Sequence, residues 1–197
     1  MARYPSASRQ KFLFFASKAR MSEVRDFLDI FKTTRKFKSI FPRLKSDPEF
    51  RNALFSEIAL NDYPYAEYAS WIAVHFYEHT RSDFSEWKQQ FIDLIQTTRN
   101  HTVQRNLVHI FTKVKANIQE DGEFLSCLFA HLENPESFPA LKVNAYKAIE
   151  KQYLRAYPEL LHEIKLLMDR HAQDGRASIQ AMRRNFEKRY AKQLNKQ

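Results

Sequence analysis

The sequence LKVNAYKAIEKQYLRAYPELL, residues 141–161, determines how the rest of the chain is interpreted. Its first part has apolar residues at helical spacing, and a second apolar run begins after Pro158. Proline does not continue a helix, because it lacks a backbone N–H and its ring clashes with the preceding turn. The segment AYPE, residues 156–159, therefore predicts a turn between two helices. The same alternation of helix and turn recurs along the chain.

A period of 37 residues relates these helices to one another. One series at this spacing consists of Phe50, Trp87, Phe124 and Leu161. Three more series have the same spacing: Glu49, Glu86 and Glu123; Leu54, Phe91 and Leu128; Ile58, Ile95 and Leu132. A fifth series, spaced by 36 to 38 residues, consists of Ile72, Val108, Tyr146 and Met182. Such self-similarity is typical of stacked helical repeats.

Each repeat is predicted to contain two helices, A and B. The A helices are expected near residues 48–60, 84–97, 121–133 and 157–172. The B helices are expected near residues 65–79, 101–116, 139–155 and 176–193. Asp47-Pro48 is a typical helix start, and Asp83 and Asp121 lie where helix N-caps belong. Residues 9–33 are predicted to form a further amphipathic helix pair.

Glycine is nearly absent, and this favours an all-α fold. The chain has two glycines in 197 residues, whereas average use is about 7%. The tight turns of β-hairpins usually require glycine. We therefore predict an α-α superhelix of about 3.5 to 5 helical hairpins. Residues 1–46 are expected to form a basic N-terminal hairpin or cap, and residues 47–197 one continuous repeat solenoid.

The period and the A/B layout of residues 47–195 resemble HEAT repeats, which are helical-hairpin solenoids. The segments YASWIAV (68–74) and ALKVNAYKAIEKQY (140–153) and the basic closing helix are also similar to a family of short bacterial HEAT-like proteins. Some members of that family carry the label adenylosuccinate lyase. Lyases of that name use a serine-rich mobile loop near a catalytic histidine, and this sequence shows no such loop.

The net charge of +9 is concentrated at the two ends of the chain. Residues 1–46 carry +9, residues 47–138 carry −7 and residues 139–197 carry +7. The segment KTTRKFKSIFPRLK (32–45) contains six basic residues and no acidic one. Such asymmetry indicates an acidic partner or a solvated surface.

The single cysteine excludes an intramolecular disulfide, which is typical of a reducing cytosol. The apolar run FLFFA (12–16) is too short for a membrane span, which needs about 20 residues. We therefore predict a cytoplasmic protein that does not bind a membrane. Its oligomeric state is left open.

No catalytic, cofactor or metal site is predicted. Cys127 lies on an apolar helical face, where a cysteine is usually a packing residue. His162 and His171 are nine residues apart, almost opposite on a helix, and the remaining histidines are scattered: His75, His79, His101, His109 and His131. Phosphate-binding loops require closely spaced glycines, which the chain lacks.

The B helices carry the candidate binding residues, because in HEAT solenoids these helices line the concave surface. His109, Lys147 and Arg183 are expected at one equivalent position. Gln104 and Lys142 are expected at another, with Tyr68 preceding them. The complete candidate set is Tyr68, Gln104, Arg105, His109, Lys142, Lys147, Arg183 and Arg184.

Two functions follow from this surface. The first is a non-enzymatic scaffold that binds a protein or peptide on its concave face. The alternative is a nucleic-acid-binding protein whose basic concave face contacts phosphates. Its fold and charge resemble those of HEAT-like DNA alkylation repair glycosylases, although no catalytic residue of that family is matched here. An enzyme on this scaffold would require a pocket with paired carboxylates.

Overall fold

The computed structural model describes residues 17–80 and 85–195. Over these residues the chain forms ten α-helices and no β-strand, so the all-α prediction is confirmed. The backbone divides into two compact units, Met1–Asp83 and Phe84–Gln197. The expected boundary between residues 46 and 47 stays a prediction.

The first unit contains four of these helices and one short 3-10 turn. They are α1 (Lys18–Thr34), the turn Lys38–Ile40, α2 (Phe41–Ser46), α3 (Pro48–Leu60) and α4 (Tyr65–Thr80). Helix α1 packs on α3 and α4, and α2 packs on α3. The basic residues 32–45 therefore belong to a segment that is docked on the first helical hairpin.

Helix α1 is held in place by its apolar face and by ion pairs. Val24, Leu28 and Phe31 are buried. The guanidinium of Arg25 donates to both carboxylate oxygens of Glu57 in α3, at 2.7 and 3.0 Å. The helix begins at Lys18, four residues before the predicted segment SEVRDFLDIF (22–31). Most of the other predicted helix of this pair lies outside the described residues.

The second unit contains three A/B helix pairs. They are α5 (Ser85–Thr97) with α6 (His101–Lys113), α7 (Gly122–Glu133) with α8 (Pro139–Gln152), and α9 (Leu160–Ala172) with α10 (Ala177–Leu194). Each A helix packs on its own B helix, and α8 packs on both α6 and α10. The B helices therefore form one layer in the order α6, α8, α10.

The repeat series predicted from the sequence form the cores of the two units. Four of the five series consist of apolar residues, and each of these residues is at most 6% exposed. The caps agree as well, since Asp47 accepts a hydrogen bond from the Phe50 N–H and Asp121 accepts one from the Phe124 N–H. Asp83 lies outside the described residues.

The predicted start of the last A helix is wrong by three residues. The helix begins at Leu160 rather than at residue 157. Residues 153–159 form hydrogen-bonded turns instead, with Tyr157 N donating to Tyr153 O and Leu160 N donating to Tyr157 O. The physical reason is Pro158, which disfavours helical geometry in the residue before it.

Candidate binding surface on the B helices

Helix α8 is fixed against α6 by side-chain to backbone hydrogen bonds. The Gln152 amide donates to Phe111 O at 2.6 Å and to Val114 O at 2.7 Å. Asn144 Nδ2 donates to Arg105 O at 3.2 Å. These contacts fix the register of the two helices and therefore which side chains lie outward.

The pattern of burial gives the equivalent positions of the three B helices. Residues of α6 and α8 match at a spacing of 38: Val103, Leu107, Val108 and Phe111 correspond to Leu141, Ala145, Tyr146 and Ile149, all buried. Residues of α8 and α10 match at a spacing of 37: Lys142, Ala145 and Ile149 correspond to Ile179, Met182 and Phe186, all buried.

This register places basic residues at two outward positions on each helix. His109, Lys147 and Arg184 form one row, and Lys113, Lys151 and Lys188 form the next, one helical turn away. We call these six residues the basic face. All of them are exposed except His109, which is half-buried.

Four side chains of the basic face make no ion pair with any residue in the described ranges. They are Lys147, Lys151, Arg184 and Lys188. Their charges are therefore available to a partner. Lys113, Lys151 and Lys188 were not predicted from the sequence, although their spacing of 38 and 37 residues contains the signal.

The sequence predicted that Arg183 is equivalent to Lys147, and this prediction is wrong. The equivalent residue is Arg184. Arg183 Nε lies 2.6 Å from Asp169 Oδ1 and 3.2 Å from Glu187 Oε1. Lys165 completes this cluster through Asp169 and Glu187. Two cations and two anions balance, so the charge of Arg183 is already neutralised.

Gln104 and Lys142 are interior side chains, each 8% exposed. The Gln104 amide donates to Ile95 O at 2.9 Å, so its hydrogen-bonding capacity serves the packing of α6 on α5. Burial lowers the pKa of Lys142, and the nearby Arg176 adds to this while Asp174 opposes it. Both residues were predicted to lie on the binding surface, but they are buried because neighbouring helices cover the flanks of a B helix as well as its inner face.

The two remaining candidates are not among the six residues of the basic face, although Arg105 precedes His109 by one helical turn. Arg105 is half-buried on α6, and its guanidinium donates to the side chain of Asn106. Tyr68 belongs to the first unit, where its ring meets Phe31 edge-on at 5.5 Å and Arg35 lies over it at 5.3 Å.

A cleft of about 480 Å³ lies between α9 and α10, beside the end of the basic face. Its lining residues are Asp169, Ala172, Gln173, Gln180, Arg183 and Arg184. The cleft therefore combines Asp169 and Arg183 of the ion cluster with the unpaired guanidinium of Arg184. Its volume lies within the range of about 300–1,000 Å³ that is typical of ligand pockets.

Comparison with known proteins agrees with this architecture. A family model described as the HEAT repeat domain matches residues 24–190. This chain belongs to the HEAT repeat domain family. No curated protein and no solved structure matches the chain. The HEAT-like prediction is therefore confirmed, whereas the resemblance to a family of short bacterial HEAT-like proteins stays a prediction.

On α7, Cys127 Sγ lies 3.6 Å from His131 Nε2. Burial raises the pKa of the Cys127 thiol to about 11. Burial also lowers the pKa of His131, with a smaller contribution from His101. Both shifts favour the neutral forms, so this pair does not have the thiolate–imidazolium character of a catalytic cysteine.

A second group of side chains was missed by the sequence analysis. His75, Glu78 and His79 on α4 bring one possible ligand atom each to within 4.8 Å of one another. The signal was present as the spacing of the two histidines, i and i+4, which places both on one helical face. Trp71, on the same helix, packs on Phe31 and Phe37.

No helix in the described ranges is both long and apolar enough to cross a membrane.

Proposed function

We propose that this HEAT repeat chain is a non-enzymatic scaffold that binds an acidic protein or peptide segment across the basic face. One observation carries the proposal: three adjacent B helices present basic residues in two rows. Four of these cations, Lys147, Lys151, Arg184 and Lys188, have no acidic partner in the described part of the chain. These four cations lie side by side on α8 and α10, and a cluster of unpaired charge is a binding surface for opposite charge.

The dimensions of the array support an extended partner. Residues four apart on a helix are separated by about 6 Å along its axis. Neighbouring helices lie about 8–10 Å apart. An acidic segment that crosses α6, α8 and α10 can therefore meet a cation at each helix. Single exposed ion pairs contribute only about 0–1 kcal/mol, so several must act together and binding must weaken with salt.

Two features favour a protein partner over a nucleic acid. Helical solenoids use their extended surfaces for recognition of other proteins and peptides. Binding to single strands also uses aromatic platforms on which bases stack. The Phe and Tyr side chains of α6, α8 and α10 are not exposed: Phe111, Tyr146 and Phe186 are buried and Tyr190 is half-buried. The phosphates of duplex DNA or RNA remain the alternative that the experiment must separate.

The test is fluorescence anisotropy with an acidic Glu/Asp-rich peptide, duplex DNA, single-stranded DNA and RNA, at about 50 and 200 mM salt. The main variant reverses four charges on the basic face: K147E, K151E, R184E and K188E. The matched control reverses four exposed lysines of the first unit: K32E, K36E, K38E and K45E.

We expect the wild type to bind the peptide, the basic-face variant to lose at least about tenfold in affinity, and the control to lose much less. Equal losses in both variants would mean a non-specific charge effect and would contradict the proposal. Binding of nucleic acid without binding of the peptide would favour the alternative function.

A further inference from the structure

We propose that His75, Glu78 and His79 form a zinc-binding site in the last turns of α4. This site is separate from the basic face and belongs to the first unit. The three residues stand at i, i+3 and i+4, so one side of the helix presents two imidazoles and a carboxylate. Histidine nitrogen and glutamate oxygen are both common zinc ligands.

The distances are close to those of a formed site. Zinc–ligand bonds of about 2.0–2.2 Å in tetrahedral geometry place neighbouring ligand atoms about 3.3–3.6 Å apart. His75 Nδ1 already lies 3.6 Å from Glu78 Oε2. One ligand atom from each of the three residues lies within 4.8 Å of the others. Small rotations of the side chains, with no movement of the helix, therefore complete three ligands.

A hydrogen bond sets the tautomer of His79. His79 Nδ1 lies 2.9 Å from the His75 carbonyl oxygen. A carbonyl can only accept, so Nδ1 carries the proton and the lone pair is on Nε2. A histidine that binds a metal through one nitrogen usually donates a hydrogen bond from the other, which orients the ring. The backbone of α4 supplies that acceptor here.

Aromatic rings pack against both imidazoles. The ring centroid of His75 lies 4.0 Å from that of Trp71 and 4.9 Å from that of Phe37. The ring of His79 lies 5.7 Å from that of Phe41. The His75 side chain is 25% exposed and its Nδ1 atom, which faces Glu78, is covered by neighbouring atoms, so the ring is restrained. This packing reduces the entropy lost when a metal fixes the rings.

The donor set favours zinc over the common alkaline-earth ions. Magnesium and calcium prefer sites made of oxygen ligands, whereas zinc accepts imidazole and carboxylate together. Zinc has no geometric preference from its d electrons, so it tolerates ligand positions that a helix dictates. Three protein ligands leave one position for water or for a group from a partner.

The experiment is isothermal titration of the full chain with Zn²⁺, with Co²⁺ absorption as a spectroscopic probe of the same site. The test variants are H79Q and E78Q, which change exposed side chains, together with H75A. Controls are H162A, which removes an exposed histidine from α9, C127A, and titration of the wild type with Mg²⁺. Melting temperatures without metal show whether each variant folds.

We expect one Zn²⁺ per chain, a loss of at least about tenfold in affinity for H79Q and H75A, and a smaller loss for E78Q. The control variants should bind zinc as the wild type does, and magnesium should not bind. Wild-type affinity in a folded H79Q variant, or an equal loss in H162A, would overturn the proposal.

Discussion

At the scale of single residues, Arg25 and Glu57 form the ion pair that fastens α1 to α3. The Glu57 side chain is fully buried and accepts hydrogen bonds from two nitrogens of the Arg25 guanidinium. The same guanidinium also forms an ion pair with Asp62 at 2.9 Å and lies over the Tyr65 ring at 4.9 Å. The hydrogen bond to Glu57 is the main cause of a raised Arg25 pKa. Removal of the arginine would leave a buried carboxylate with its main ion-pair partner gone.

We predict that R25A lowers the free energy of unfolding by about 2 kcal/mol, measured by urea denaturation. The loss is below the roughly 3–5 kcal/mol of a fully buried pair because the Arg25 side chain is 38% exposed. The double variant R25M/E57L should recover much of the stability, because no charge is then left buried. A double variant that is less stable than R25A would show that the buried carboxylate is not the cause.

Cys127 gives a prediction for pH dependence. Burial raises the pKa of its thiol to about 11, above the usual value of about 8.5. Only the thiolate reacts with iodoacetamide, and a raised pKa leaves very little thiolate at neutral pH. We expect slow alkylation at pH 7 to 8 and a rate that rises only toward the alkaline limit of folding. Free cysteine serves as the control, and an alkylation midpoint near pH 8.5 in the folded protein would contradict this account.

At the scale of helices, Gln152 joins α8 to the end of α6. Its amide donates to Phe111 O and Val114 O, and its Oε1 accepts from Ala116 N at 3.1 Å. The last carbonyls of a helix have no partner within the helix, so this side chain acts as a cap supplied by the next repeat. Gln152 is 2% exposed, and water does not readily replace it.

We predict that Q152L destabilises the protein by about 2–4 kcal/mol, because it leaves several buried backbone groups without partners. The measurement is chemical denaturation, combined with hydrogen exchange of residues 111–116. Q173L, at an exposed glutamine, is the matched control and should change stability by less than about 0.5 kcal/mol. Unchanged exchange at residue 116 in Q152L would refute the capping role.

The sequence predicted the helices well because repetition supplies the same signal several times. The starts of α3, α6 and α8 agree with the predicted residues, since caps and prolines mark them locally. The start of α9 was missed because Pro158 is followed by a turn rather than by the first helical residue.

The surface was harder to predict than the core. Lys142 and Gln104 are polar in type but interior in position, which depends on neighbours on both sides of a B helix. Arg183 and Arg184 are adjacent in sequence, and only the packing of α10 shows which of them is outward. The His75–His79 spacing was visible in the sequence, but the nearness of Glu78 required the structure.

At the scale of the whole molecule, charge is arranged by repeat rather than scattered. The net charge of +9 includes five lysines and arginines in the two rows of the basic face: Lys113, Lys147, Lys151, Arg184 and Lys188. The concavity of that face stays a prediction. Membership of the HEAT repeat domain family agrees with a surface used for recognition, and the available charges determine which kind of partner it favours.

The most direct test of this account is lysine footprinting by acylation and mass spectrometry, with and without the acidic peptide. We predict protection of Lys147, Lys151 and Lys188, with little change at three exposed lysines of the first unit, Lys32, Lys38 and Lys45. Protection confined to the first unit, or the absence of protection at a peptide concentration that saturates binding, would contradict the assignment of the basic face as the binding surface.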